Sequence, residues 1–188
     1  MDDTPRLPRS LREQFEMAIS FQTFLDEARV NVELWRAMYA RASVPEPMLA
    51  RATALEGVWP LLVLTEDWCG DALNTLPVFA RLAEQVTAIE LRVLSRDAHP
   101  DLMARHLTEG RRSIPVAIVL DRAYEERGWW GPRPGPLQSW VRTEGRALDK
   151  SARYREMRRW YARDRGETAL AELLTLLERA ASEIGAAR

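Results

Sequence analysis

Short apolar runs alternate with helical patterns in the middle of the chain, and this alternation constrains the fold more than any other feature. The apolar runs cover residues 61–64, 89–94 and 116–120. Continuous apolar runs of this length are typical of strands that are covered on both faces. Helical spacing occupies 70–86 and 99–109, and a further run over 124–130 follows the third apolar run after two polar residues. We therefore predict parallel βαβ units that end in a hairpin.

Helical patterns flank this region on both sides. One or two helices are predicted over 11–42, where Thr23 and Asp26 resemble a capping box, and another over 45–56 with Gly57 as its stop. Beyond the Pro-rich stretch, helices are predicted over 137–147, 151–163 and 168–184. We expect an N-terminal helical extension at 1–57, an α/β core at 58–136 and a C-terminal helical extension at 137–188. The apolar stripes of both extensions need a surface to pack on.

The composition is that of a soluble globular protein. The chain has 188 residues, a net charge of −1 and 46% hydrophobic residues, so no overall field attracts it to nucleic acid or membranes. Its first residues lack the pattern of a secretory signal, and its longest apolar stretch is too short to span a bilayer. The single cysteine excludes an internal disulfide. A reducing cytoplasm fits these features.

Few residues point to a cofactor or to a nucleic acid. His99 and His106 have no third ligand at a suitable spacing, so we expect no metal site. No motif implies a nucleotide or a flavin either. Residues 150–165 carry seven basic and three aromatic side chains, a pattern that an RNA-binding helix also shows. Acidic residues interrupt this run, which favours a solvated helix with an aromatic docking stripe.

Cys69 has a position of chemical interest, because it follows an apolar run and opens a helical pattern. The N-terminus of a helix favours an anion, and a thiol there can have its pKa lowered from about 8.5 to between about 3.5 and 7.5. The thiolate is the nucleophilic form. The alternative is that Cys69 is a small buried residue without reactivity.

The segment around Cys69 resembles a known family. Glu66-Asp67-Trp68-Cys69-Gly70-Asp71-Ala72 resembles the thioredoxin active-site segment Trp-Cys-Gly-Pro-Cys. Pro77 lies where thioredoxins kink the active-site helix, and Ile114-Pro115 lies where they place a cis-proline. The resemblance covers 58–130 and implies a thioredoxin fold, with a central mixed sheet of about four strands and flanking helices. It also implies a cis bond before Pro115 and one kinked helix that begins at Cys69 and contains Pro77.

Three departures limit what the resemblance implies about activity. Ala72 stands in the place of the resolving cysteine, whose thiol releases a dithiol reductase from its mixed disulfide. Val63 stands in the place of the buried acid that assists that thiol. Asp71 replaces the proline between the two cysteines, and its charge opposes the formation of a thiolate on Cys69. Dithiol reduction is therefore excluded.

The resemblance implies monothiol redox chemistry, in which Cys69 attacks a protein disulfide or a small-thiol adduct and an external thiol resolves the product. The residues expected to shape the site and to hold the substrate are Trp68, Gly70, Asp71, Ile114 and Pro115. The alternative is a non-catalytic module that holds a peptide or partner in the groove between Trp68 and Pro115. An exposed acidic thiol would favour the redox protein, and a buried neutral thiol would favour the module.

Several charged residues near the site have two interpretations. Glu66 and Asp67 fit a solvated loop better than a proton relay. Arg111, Arg112 and Arg133 fit surface charge better than a carboxylate-binding site. The sequence makes no prediction about the oligomeric state.

Overall fold

The computed structural model describes residues 9–186. Their regular elements, in chain order, are α1 (Leu11–Met17), β1 (Ile19–Ser20), α2 (Phe21–Glu27), α3 (Val32–Arg41), α4 (Glu46–Thr53), β2 (Trp59–Thr65), α5 (Gly70–Gln85), β3 (Ile89–Ser95), α6 (Pro100–Ala104), β4 (Val116–Leu120), β5 (Glu126–Trp130), α7 (Gly135–Arg142), a 3₁₀ helix (Glu144–Ala147), α8 (Lys150–Asp164) and α9 (Glu167–Ala186).

The strands form one mixed sheet in the order β1-β3-β2-β4-β5. Strand β2 pairs parallel with β3 through the crossover helix α5, and antiparallel with β4. Strands β4 and β5 form an antiparallel hairpin. Every residue of β2 and β4 is buried, as their continuous apolar sequences predict. The predicted fold class, a mixed sheet flanked by helices, is confirmed.

The hairpin turn shows why β5 is shorter than predicted. Asp121 accepts hydrogen bonds from the backbone N–H groups of Ala123 and Glu125. Tyr124 has a φ of 64°, which is incompatible with a strand. Strand β5 therefore begins at Glu126 rather than at residue 124.

The N-terminal region differs from the sequence prediction. It contains the two-residue strand β1, which pairs antiparallel with β3 at the edge of the sheet and makes the sheet five-stranded. The predicted capping box at Thr23 is wrong, because Ser20 caps α2 and accepts the Thr23 N–H at 3.0 Å. A capping box does occur at the start of α1, where Ser10 and Glu13 bond reciprocally. Local cap patterns recur often enough that tertiary contacts decide which one is used.

The helix predicted over 99–109 is also too long. Helix α6 ends at Ala104, and the chain then forms a tight turn in which Thr108 pairs with Arg111. Glu109 and Gly110 in this turn both have positive φ angles, so neither residue is in a right-handed helical conformation.

The terminal helices pack against the sheet and its crossover helix. Helix α9 contacts β5, α5 and α4, and buries the stripe of Leu170, Leu173, Leu174 and Leu177. Helices α7 and α8 share a smaller apolar cluster made of Leu137, Met157 and Tyr161. The division of the chain into two extensions and a core stays a prediction. Between residues 9 and 186, no helix has the length and apolar character needed to cross a membrane.

Candidate functional site

Cys69 caps the N-terminus of α5 at the end of the loop that follows β2. Its Sγ accepts a hydrogen bond from the backbone N–H of Ala72 at 3.4 Å. Its thiol donates to the carbonyl oxygen of Ile114 at 3.3 Å. Only 6% of Cys69 is exposed. The thiol therefore fills a closed position between the helix and the chain that leads into β4.

Burial controls the protonation of this thiol. Burial raises the pKa of Cys69 to about 11, and the charge of the Asp71 carboxylate adds a smaller rise. The hydrogen bond from the Ala72 N–H acts in the opposite direction and lowers the pKa. The sequence analysis offered a buried, unreactive thiol as the alternative, and for a reactive thiol it weighed the helix terminus against Asp71. Desolvation is larger than either, because a buried thiolate loses the water that would stabilise its charge. Cys69 is thus a neutral thiol at pH 7.

Asp71 belongs to a partly buried ion pair rather than to an exposed helix start. Its Oδ2 lies 2.6 Å from Nη2 of Arg133, and its Oδ1 accepts a hydrogen bond from the Tyr161 hydroxyl at 2.9 Å. Burial raises the pKa of Asp71, and Arg133 and Tyr161 oppose that rise. Burial together with the Asp71 charge also raises the pKa of Tyr161. Three separate parts of the chain therefore meet beside Cys69.

Trp68 and Gly70 are the accessible members of the predicted site. Trp68 is 47% exposed, and the guanidinium of Arg96 lies over its ring at 4.9 Å from the centroid. This is the distance of a cation–π contact. Gly70 is the first residue of α5, and a Cβ atom at this position would meet nothing within 4 Å. The surface above Cys69 is thus formed by an exposed indole and an open helix start.

Ile114 and Pro115 lie against Cys69 and are both buried, and the peptide bond between them is cis. Gly131 packs on the same segment from the other side. A Cβ atom at Gly131 would lie 2.1 Å from the Pro115 carbonyl oxygen, and its φ is 136°. Only glycine allows this close approach. The turn after β5 therefore seals the segment against which the thiol packs.

The carboxylates before Trp68 have structural roles. Asp67 accepts the backbone N–H groups of Arg29 and Val30 and thereby ties the start of α3 to the site loop. Glu66 accepts from the Ser95 hydroxyl at 2.8 Å and from the Asp97 N–H at 2.9 Å. These bonds support the loop interpretation rather than a proton relay.

The other residues considered from the sequence lie apart from the thiol. His106 is 1% exposed, and its two ring nitrogens lie within hydrogen-bond distance of the Leu102 carbonyl oxygen and the Glu126 carboxylate. Across residues 9–186, no cluster of His, Cys, Asp and Glu side chains could hold a metal ion. Arg112 lies 3.5 Å from Asp97 at the surface. Trp130 is buried and packs its ring against Phe79.

Sequence reasoning missed the roles of Arg133 and Tyr161. Arg133 was considered as surface charge, and Tyr161 as part of a docking stripe. Tyr161 lies 90 positions from Asp71, so no local pattern links the two. The only available signal was Asp71 itself, since a carboxylate in the first turn of a buried helix needs a partner.

Comparison with known proteins agrees with the fold. A family model described as thioredoxin matches residues 18–158. Curated proteins give no significant match. Among solved structures, a protein of unknown function from Pseudomonas aeruginosa is similar, with a TM-score of 0.75 and 22% identity over 92% of this chain and 99% of that one. An HIV epitope scaffold is also similar, with a TM-score of 0.70 and 20% identity over 90% of this chain and 98% of that one. The family match spans most of the chain, which therefore belongs to the thioredoxin family.

Proposed function

We propose that this protein is a thioredoxin-fold binding module that holds a peptide or partner protein at the surface around Trp68 and Pro115. The observation that carries the proposal is the burial of Cys69, which is only 6% exposed and whose pKa is raised by desolvation. With a pKa of about 11, about one thiol in 10,000 is ionised at pH 7. An ordinary free thiol with a pKa of about 8.5 is ionised to about 3%.

Trp68 is the anchor of this proposed surface. Tryptophan and arginine are enriched among the residues that dominate the energy of protein interfaces. Here an indole that is 47% exposed carries the Arg96 guanidinium on its ring. In the described part of the chain, the Ile114 N–H donates no hydrogen bond, which leaves it for a carbonyl of an extended peptide. Because Ile114 is only 5% exposed, a peptide must displace part of its cover to reach this group.

Monothiol redox chemistry is the second candidate, and the position of the sulfur favours it. Sγ of Cys69 accepts a hydrogen bond from the N-terminal turn of α5 and lies beside Ile114 and Pro115. In this reaction the thiolate attacks one sulfur of a disulfide, forms a mixed disulfide and releases the other sulfur as a thiolate. The thiolate of an external small thiol then attacks the substrate sulfur of the mixed disulfide and forms a new disulfide with it. Cys69 leaves as a thiolate and takes up a proton. The chain has no second cysteine for this step. The step also requires that Cys69 become exposed, and a reducing cytoplasm would supply the small thiol.

Capture from cell extract with four immobilised proteins distinguishes the two functions. These are the wild type, Cys69→Ala, Trp68→Ala and Tyr154→Ala; Tyr154 is a matched control because it is 45% exposed and lies on α8. A binding module retains its partners in Cys69→Ala and under reducing conditions, and loses them in Trp68→Ala only. A redox protein retains partners only through Cys69 and releases them on reduction. Retention by Trp68→Ala at the level of the wild type contradicts the binding proposal.

A further inference from the structure

A cavity next to the site is lined by residues that the sequence did not assign to the site. It has a volume of about 570 Å³ and lies between α3, α5 and α8. Its walls come from α3 and the two residues after it, from one side of α5, and from the C-terminal part of α8 with Arg165. Pockets that hold small molecules have volumes of about 300–1,000 Å³. The cavity therefore has the size of a ligand site.

The floor of this cavity is apolar and its rim is basic. Leu73, Pro77 and Val78 of α5 are buried at its base, and Leu34 of α3 is 48% exposed at its side. An exposed leucine beside a buried apolar floor leaves apolar surface in contact with water. Filling the cavity with an apolar group would remove that surface from water.

Three arginines surround the opening, and no acidic residue lines it. Between residues 9 and 186, the side chains of Arg158 and Arg165 form neither a hydrogen bond nor an ion pair within the protein. Within the same residues, the Arg41 side chain bonds only to the Ala37 carbonyl oxygen and to the sulfur of Met38. Other arginines of the same region do find carboxylates, as Arg159 does with Glu156. The positive charge at the opening is therefore not compensated by the residues around it.

We propose that this cavity binds a small amphipathic anion, with an apolar body on the α5 floor and a carboxylate or phosphate group between the arginines. Guanidinium groups bind both headgroups through paired, charge-assisted hydrogen bonds. The site lies next to the thiol region without including it, because Tyr161 both lines the cavity and holds Asp71. The proposal does not rest on the function proposed above.

Displacement of the fluorescent anion 1-anilinonaphthalene-8-sulfonate tests the site. We expect decanoate or decyl phosphate to displace the probe, and the tighter of the two to identify the headgroup. Decanol has the same chain without the charge, and we expect it to compete at least about tenfold more weakly. Equal competition by decanol would show that the arginines do not contribute and would overturn the proposal.

Variants of residues around the opening locate the binding. The double variant Arg158→Gln/Arg165→Gln should weaken decanoate or decyl phosphate by about tenfold or more. The matched control Arg155→Gln/Arg159→Gln removes the same charge from residues of α8 that do not line the cavity, and should bind as the wild type does. Ala162→Trp, which fills the opening from an exposed position, should abolish binding. Equal affinity in the double variant and its control, or full binding by Ala162→Trp with an unchanged circular dichroism spectrum, refutes the assignment.

Discussion

The reactivity of Cys69 follows from its burial and can be measured directly, because it is the only cysteine in the chain. Its pKa of about 11 lies well above the value of about 8.5 for an ordinary free thiol. At pH 7 this difference corresponds to about 300-fold less thiolate. With 6% exposure, the residual thiolate is also shielded from the reagent. We therefore expect the folded protein to react with iodoacetamide at least about 100-fold more slowly than the same protein in urea.

The assay is the rate of iodoacetamide addition between pH 6 and about 10.5, followed by intact mass. In the folded protein we expect the rate to rise about tenfold per pH unit, with no plateau below about pH 10. The urea-unfolded protein supplies the control and should level off above about pH 9. A plateau below about pH 8 in the folded protein would show an acidic thiolate. That result would refute the argument from desolvation and restore the redox interpretation to first place.

Three further outcomes follow from the same contacts. Folding raises the pKa of Cys69, so the unfolded protein loses the thiol proton at a lower pH than the folded protein does. The unfolding free energy measured in urea should therefore fall by roughly 3 kcal/mol between about pH 9 and 11. This fall should be smaller in Cys69→Ala. Asp71→Asn should speed alkylation of Cys69 several-fold, because it removes a negative charge and leaves Arg133. It should also lower the unfolding free energy by about 1–3 kcal/mol, because the bonds to Arg133 and Tyr161 become weaker. Unchanged alkylation would contradict the electrostatic argument only. Gly131→Ala should lower the unfolding free energy by at least about 2 kcal/mol, and with it the melting temperature, because the new Cβ would clash with the Pro115 carbonyl oxygen. A melting temperature equal to that of the wild type would show that the turn can move.

The apolar pattern of the sequence specifies the three central strands of the sheet. Short buried strands have continuous apolar sequences, so β2, β3 and β4 were predictable within a residue or two. The position of Cys69 at the start of α5 was also predictable, and so was a continuous helix that contains Pro77. These features depend on local spacing and on the resemblance of one segment to the thioredoxin family. Strand β1 was not predictable, because two residues carry no periodic signal and gain their structure by pairing with β3.

The chemical state of the site was decided only by the tertiary structure. A helix terminus and a neighbouring carboxylate are visible in the sequence, but the solvent exposure of a thiol is not. Ile114 covers Cys69 from another strand connection, and Tyr161 and Arg133 reach Asp71 from the C-terminal region. Desolvation depends on all the groups that exclude water from an atom, and these come from distant parts of the chain. The sequence therefore determined where the sulfur lies, and the packing of remote segments decided that it is a buried, neutral thiol.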